Sequence, residues 1–158
     1  MKLSKNLPLH EVIRSNTALR HNINNTPPQD HINNLKYLAQ TVFQPIRDHF
    51  GKPIFVSSGY RSKALNKAIK GSNRSFHSYG MALDLDQDYR NTNIVNAQVF
   101  YYIKNTLQFT ELIWEFGDDN NPNWVHVAIA RGREDEKKIK IAYKDDKNKT
   151  KYKPWDRD

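Results

Sequence analysis

Six histidines and no cysteine set the terms for chemistry in this 158-residue chain. Without thiols there is no disulfide, thiolate zinc finger or Cys nucleophile, so any metal site must use His, Asp or Glu. Two histidines stand apart. His77 lies in Ser75-Phe76-His77-Ser78-Tyr79-Gly80-Met81-Ala82-Leu83-Asp84, where Gly80 lets the backbone turn, Ala82 permits close packing and Asp84 projects from a strand. His126 lies between Val125 and Val127, and alternation puts Trp124, His126 and Ala128 on one face. Two imidazoles and one carboxylate could form a three-ligand zinc site whose fourth position stays open to water, the catalytic type of arrangement. A single His in a strand is also commonly a hydrogen-bonded core or rim residue. No local His-Glu-x-x-His motif is present, so spacing alone leaves both readings standing. His10, His21, His31 and His49 have no acidic or His partner at a chelating interval and read as surface or capping residues.

Arg61 follows Ser58-Gly59-Tyr60 at a strand end. A fixed guanidinium beside a metal could bind a carboxylate or an oxyanion bidentately, whereas an Arg near a turn is ordinarily just exposed. Glu115 sits between Trp114 and Phe116. If it points into a cleft, desolvation raises its pKa and suits it to general-base work; otherwise it is an exposed position on an alternating strand. Asp118 and Asp119 are rival bases, but Gly117-Asp118-Asp119-Asn120-Asn121 reads as a hairpin loop.

These groups need elements to hold them. Apolar residues at Ile32, Leu35, Leu38, Ala39, Val42, Phe43, Ile46 and Phe50 predict a one-sided helix over about residues 31–50. Asp30 is the expected N-cap, Gly51 the stop, and Pro45 a kink or a lost hydrogen bond. Short helices are expected over Ser62–Ile69 and residues 93–107. Strands are expected over residues 53–59, 82–86, 112–116 and 124–129, the last two as a hairpin. That order indicates a single α+β domain with a small antiparallel sheet flanked by helices.

The formal charge is +8, and residues 131–158 carry 11 basic and 7 acidic side chains, a net of +4. Composition therefore marks residues 1–130 as the domain and 131–158 as a charged extension, with one edge strand at Ile139-Ile141-Tyr143 followed by a solvated tail. Excess positive charge favours any polyanion: nucleic acid, anionic membrane or anionic wall polymer. No run reaches the ~20 apolar residues of a membrane span, and the N-terminus lacks the apolar core of a signal peptide.

The run Ser57-Ser58-Gly59-Tyr60-Arg61-Ser62, then Leu65-Asn66, Gly71-Ser72, Ser75-x-His77-x-x-Gly80-x-Ala82-x-Asp84 and Trp124-Val125-His126-Val127 resembles the D-alanyl-D-alanine carboxypeptidase family of zinc peptidases. That family includes dipeptidases and phage L-alanyl-D-glutamate endolysins. The resemblance runs from about residue 7 to residue 130 and is specific, because several separated blocks agree in order and spacing. It implies a hedgehog/D-Ala-D-Ala-peptidase-like fold and one Zn²⁺ held by His77, Asp84 and His126. Arg61 would contact a substrate carboxylate or the oxyanion, and Ser75 and Tyr60 would help bind substrate. Several relatives carry an acidic base three residues before the last His; here that position is Asn123, which cannot take a proton. Glu115 is then the expected base, with Asp118 second.

The expected activity is metal-assisted hydrolysis of an amide bond in the peptidoglycan stem peptide, by a carboxypeptidase or an endopeptidase, a phage lysis enzyme being one form. The protein is expected to work as a monomer, to reach the cell wall without its own export signal and to need no nucleic acid. Two rivals stand beside this: a wall-binding module of the same fold that has lost hydrolysis, and a basic nucleic-acid-binding protein.

Overall fold

The computed structural model describes residues 1–89 and 92–157. A two-stranded antiparallel sheet, β1 (Lys2–Ser4) with β2 (Leu7–Pro8), opens the chain and leads into α1 (Leu9–Ile13) and α2 (Asn16–Arg20). The Ser15 side chain caps α2 by accepting from the Ala18 N–H.

The long amphipathic stretch forms as expected, but in three parts: α3 (Gln29–Leu38), a π-helical turn (Ala39–Phe43) and α4 (Gln44–Phe50). Pro45 has no N–H to donate, and the wide turns just before it take up the mismatch without breaking the rod. Pro28, not Asp30, is the N-cap; Asp30 lies in the first turn, where its carboxylate meets the positive end of the helix. Gly51 ends the rod in the left-handed region at φ 67°. Leu35, Leu38, Ala39, Val42, Phe43 and Ile46 are buried, so the apolar face points to the core as the periodicity demands.

The main sheet contains β3 (Val56–Ser58), β4 (Ala82–Leu85), β5 (Glu111–Glu115), β6 (Trp124–Ala128), β7 (Lys138–Lys144) and β8 (Thr150–Pro154). Its order is β3-β4-β6-β5-β7-β8. Between the strands lie α5 (Lys63–Ala68), a 3₁₀ turn (Phe76–Tyr79) and α6 (Asn96–Thr106). The expected α+β class and the β5–β6 hairpin are present. The sheet is larger than expected and mixed, because β7 pairs in parallel with β5.

Cross-strand register divides the sheet into two faces. Leu83, Val127, Leu112 and Ile139 form one transverse row, and Leu85, Val125, Trp114 and Ile141 the next. Both rows belong to the core shared with the helical rod and α6. The opposite face carries the row Ser58, Asp84, His126, Ile113, Lys140 and the row Trp124, Glu115, Ala142, Tyr152. A period of two thus delivers residues from all six strands to one polar face.

The tail expected after one edge strand is solvent-exposed but not frayed, since it forms a further strand. Residues 150–154 form β8 on β7, and Trp155 packs on Phe100 and Trp114 at ring-centroid distances of 4.7 and 5.5 Å. Tertiary burial of Trp155 and backbone pairing outweigh the high local charge. Asp158, the last residue of that extension, lies outside the described residues.

Candidate metal centre and active-site cleft

His77, Asp84 and His126 converge from three elements. Each offers a ligand atom within 4.8 Å of the others, and all three side chains are buried. Asp84 and His126 are register partners on β4 and β6. His77 comes from the 3₁₀ turn that precedes β4, and Ser75 caps that turn, its Oγ accepting from the His77 N–H at 3.2 Å. Gly80 closes the turn at φ 72°, where a Cβ would come within 2.6 Å of the His31 carbonyl oxygen. Glycine is therefore required to aim His77 at Asp84.

The hydrogen bonds fix which nitrogen of each ring faces the centre. His77 Nδ1 lies 2.7 Å from the Gly59 carbonyl and can only donate there, so Nε2 faces Asp84 Oδ1 at 3.2 Å. Gly59 approaches α1 so closely that a Cβ would sit 2.5 Å from the Val12 carbonyl oxygen. His126 presents Nδ1 to the same Oδ1 at 3.1 Å and turns Nε2 to Glu111 Oε1 at 2.9 Å. Glu111 is itself held by Lys140 at 2.9 Å. Each imidazole thus has one nitrogen anchored by an oxygen acceptor and the other directed inward, the support that metal-binding histidines characteristically have. Two nitrogens and one carboxylate oxygen match the donor preference of Zn²⁺, so the residues fit the ion.

Electrostatics follow the same geometry. Burial opposes ionisation of Asp84, but His77 and His126 more than offset it and hold its carboxyl well below the usual range. Burial lowers His77. Burial also works against a charged His126, yet the hydrogen bonds to Asp84 and Glu111 prevail and push it up to about 10. Glu111, despite burial, is pulled down to about 2 by His126 and Lys140. Glu115 behaves oppositely: burial, reinforced by the negative charge of Asp84, raises it to about 7.

The centre opens into a cleft of about 440 Å³ lined by Arg61, Ser75, Phe76, Glu115, Trp124 and Tyr152 among others. Arg61 donates from Nη2 to Asp84 Oδ2 at 3.1 Å and from Nε to Ser58 Oγ at 3.1 Å; Nη1 is used in neither contact. Tyr60 does not line the cleft. It is buried in the core, with its hydroxyl 3.3 Å from His31 Nδ1, because adjacent residues of an extended segment point to opposite sides. Asp118 is also absent from the cleft: its Oδ1 accepts from the N–H groups of Asn120 and Asn121 and organises the hairpin loop. Asn123 is exposed and lies outside the cleft, its N–H bonded to the Glu115 carbonyl. Glu111, Lys140 and Tyr152 were not anticipated. Glu111 had a usable signal, since Glu111, Ile113 and Glu115 share one face of an alternating strand.

A buried His-Asp-His cluster beside a buried carboxylate, on an α+β scaffold with a helical rod behind the sheet, is a group that could hold a metal ion, and the class it belongs to is a metallopeptidase family. The family model for Peptidase M15 matches residues 5–128, and the chain belongs to that family of D-Ala-D-Ala carboxypeptidase-like zinc peptidases. The match covers the helical half and the sheet through β6, and leaves β7 and β8 outside it. No curated protein matches the chain.

Proposed function

We propose that this protein hydrolyses an amide bond in the peptide stem of peptidoglycan, working at the cell wall with one zinc ion held by His77, Asp84 and His126. The observation that carries the reading is Glu115, a buried carboxylate with its pKa near 7, on the same sheet face and in the same cleft as the three ligands.

Zinc, when bound, supplies a Lewis acid for the scissile carbonyl and lowers the pKa of water. Glu115 accepts a proton from the attacking water and returns it to the departing amine, a task best served by a pKa near the working pH. Arg61 keeps Asp84 charged and oriented through Nη2 and has Nη1 available for a substrate carboxylate or the developing oxyanion. Ser75 fixes the His77 turn and forms part of the wall. Lys70 and Arg74 add positive charge to the rim, which suits a stem peptide bearing free carboxylates.

The test is release of new amino groups from muramidase-solubilised stem peptides by protein loaded with one equivalent of Zn²⁺, against chelated protein, Glu115→Ala and His77→Ala. Cleavage by the loaded wild type alone supports the reading. A zinc-loaded wild type that pellets with purified walls yet cuts nothing replaces it with a wall-binding module.

A further inference from the structure

The family match stops at residue 128, but the cleft does not. Lys140, Thr150 and Tyr152 line it from β7 and β8. Lys140 is committed to Glu111, and the Thr150 hydroxyl accepts from Lys144 at 2.8 Å. Tyr152 is different: it is 55% exposed, large and aromatic. In the transverse row Trp124, Glu115, Ala142, Tyr152, paired residues project to the same face. Ala142, between Glu115 and Tyr152 in that row, is small and buried. Trp124, Glu115 and Tyr152 all line the cleft, and Glu115 stands between the two aromatic residues in the row. Trp124 is steadied by Phe116, ring centroids 5.4 Å apart. Partial burial, then the negative charges of Glu115, Glu111 and Asp84, raise the Tyr152 phenol, which places the ring within the field of the centre and keeps its hydroxyl protonated.

Resting on the reading of the site as a stem-peptide hydrolase, we propose that Tyr152 is a substrate-binding residue: its ring is the outer wall against which the bound peptide lies, so the C-terminal hairpin completes the site. The interaction is with the ring face, which a Phe retains and an Ala loses. A rigid aromatic wall orders little on binding and covers much apolar surface, which is why such rings dominate recognition sites.

The test uses the zinc-loaded full chain and muramidase-solubilised stem peptides, comparing wild type, Tyr152→Ala, Tyr152→Phe and Lys151→Ala, whose side chain belongs to the opposite face of β8. Tyr152→Ala is expected to raise KM roughly tenfold with kcat within about threefold, while Tyr152→Phe and Lys151→Ala stay within about twofold of wild type. Zinc stoichiometry and the thermal midpoint are expected to be unchanged. An unchanged KM in Tyr152→Ala overturns the proposal. So does a loss of kcat that tracks zinc loss or a lowered midpoint, which would make the residue structural. If the wild type itself cuts nothing, the hydrolase reading has failed separately. Equilibrium binding of the same peptides then decides for Tyr152: a weaker Kd for Tyr152→Ala upholds the wall, and equal Kd values overturn it.

Discussion

Replacing Glu115 by Gln should stabilise the metal-free fold at alkaline pH while sharply slowing turnover of the zinc-loaded protein. Burial raises the Glu115 carboxyl from 4.5 to about 7. Below pH 4.5 the folded and unfolded states both hold the proton, and the favourable contribution of the neutral acid is fully present. It is lost as pH rises through 7, because the folded chain must then bury a charge that the unfolded chain exposes to water. A gap of that size, at 1.36 kcal/mol per pKa unit, corresponds to about 3 kcal/mol once both states are ionised, and to less than about 1 kcal/mol at pH 5. Gln carries no charge at any of these pH values, and whatever its amide costs in that pocket is constant. The stability of Glu115→Gln relative to wild type should therefore improve by about 2 to 3 kcal/mol between pH 5 and pH 8.5, measured by urea denaturation in the presence of chelator. In the loaded enzyme the same change should lower kcat by about 10² to 10⁴, the ordinary worth of a positioned base. The acid limb of kcat/KM should lie at or below pH 7, since a nearby cation pulls the carboxyl down. Parallel stability curves for the two proteins across that pH range would refute the burial argument, and an acid limb above pH 8 would exclude Glu115 as the base.

Three further outcomes are expected. His77→Ala, Asp84→Ala and His126→Ala should each lose stoichiometric zinc and hydrolysis, read by elemental analysis; retention of one zinc per chain by any of them would remove that residue from the ligand set. Glu111→Gln should weaken zinc binding by about 10- to 100-fold in competition with a chromogenic chelator, because His126 loses the carboxylate that orients it; an unchanged affinity would make the Glu111–His126 contact incidental. Trp155→Ala should lower stability by about 2–4 kcal/mol, read as the urea midpoint, since it uncovers Phe100 and Trp114; a change below about 0.5 kcal/mol would mean the ring contributes nothing to the core.

What the sequence disclosed follows the range of the interactions. His77 and Asp84 were readable because a turn and a strand hold them seven residues apart, and His126 because alternation on an apolar strand exposes an odd polar residue. Glu115 emerged from its aromatic neighbours, and Asp118 was correctly suspected of belonging to a loop. Tyr60, which the resemblance placed at the substrate, faces the core instead, since neighbours on an extended chain face opposite ways. The parallel pairing of β5 with β7 left no local trace, because its register is decided by contacts between distant segments. For the same reason the strand at residues 150–154 was not legible in the charged stretch: nothing nearby announces its pairing with β7 or the aromatic partner of Trp155 at Phe100.

Arg61 has a consequence for which cation the protein admits. By donating to Asp84 Oδ2, it gives the two carboxylate oxygens different partners, with Oδ1 facing both imidazoles, and so favours ligation through Oδ1. Calcium favours six to eight oxygen donors and readily takes a carboxylate by both oxygens, and magnesium prefers an all-oxygen octahedron rich in retained waters. A monodentate aspartate between two nitrogens satisfies neither. One carboxylate oxygen flanked by two ring nitrogens, with the guanidinium behind the other oxygen, is a donor set suited to a borderline ion rather than to an all-oxygen shell.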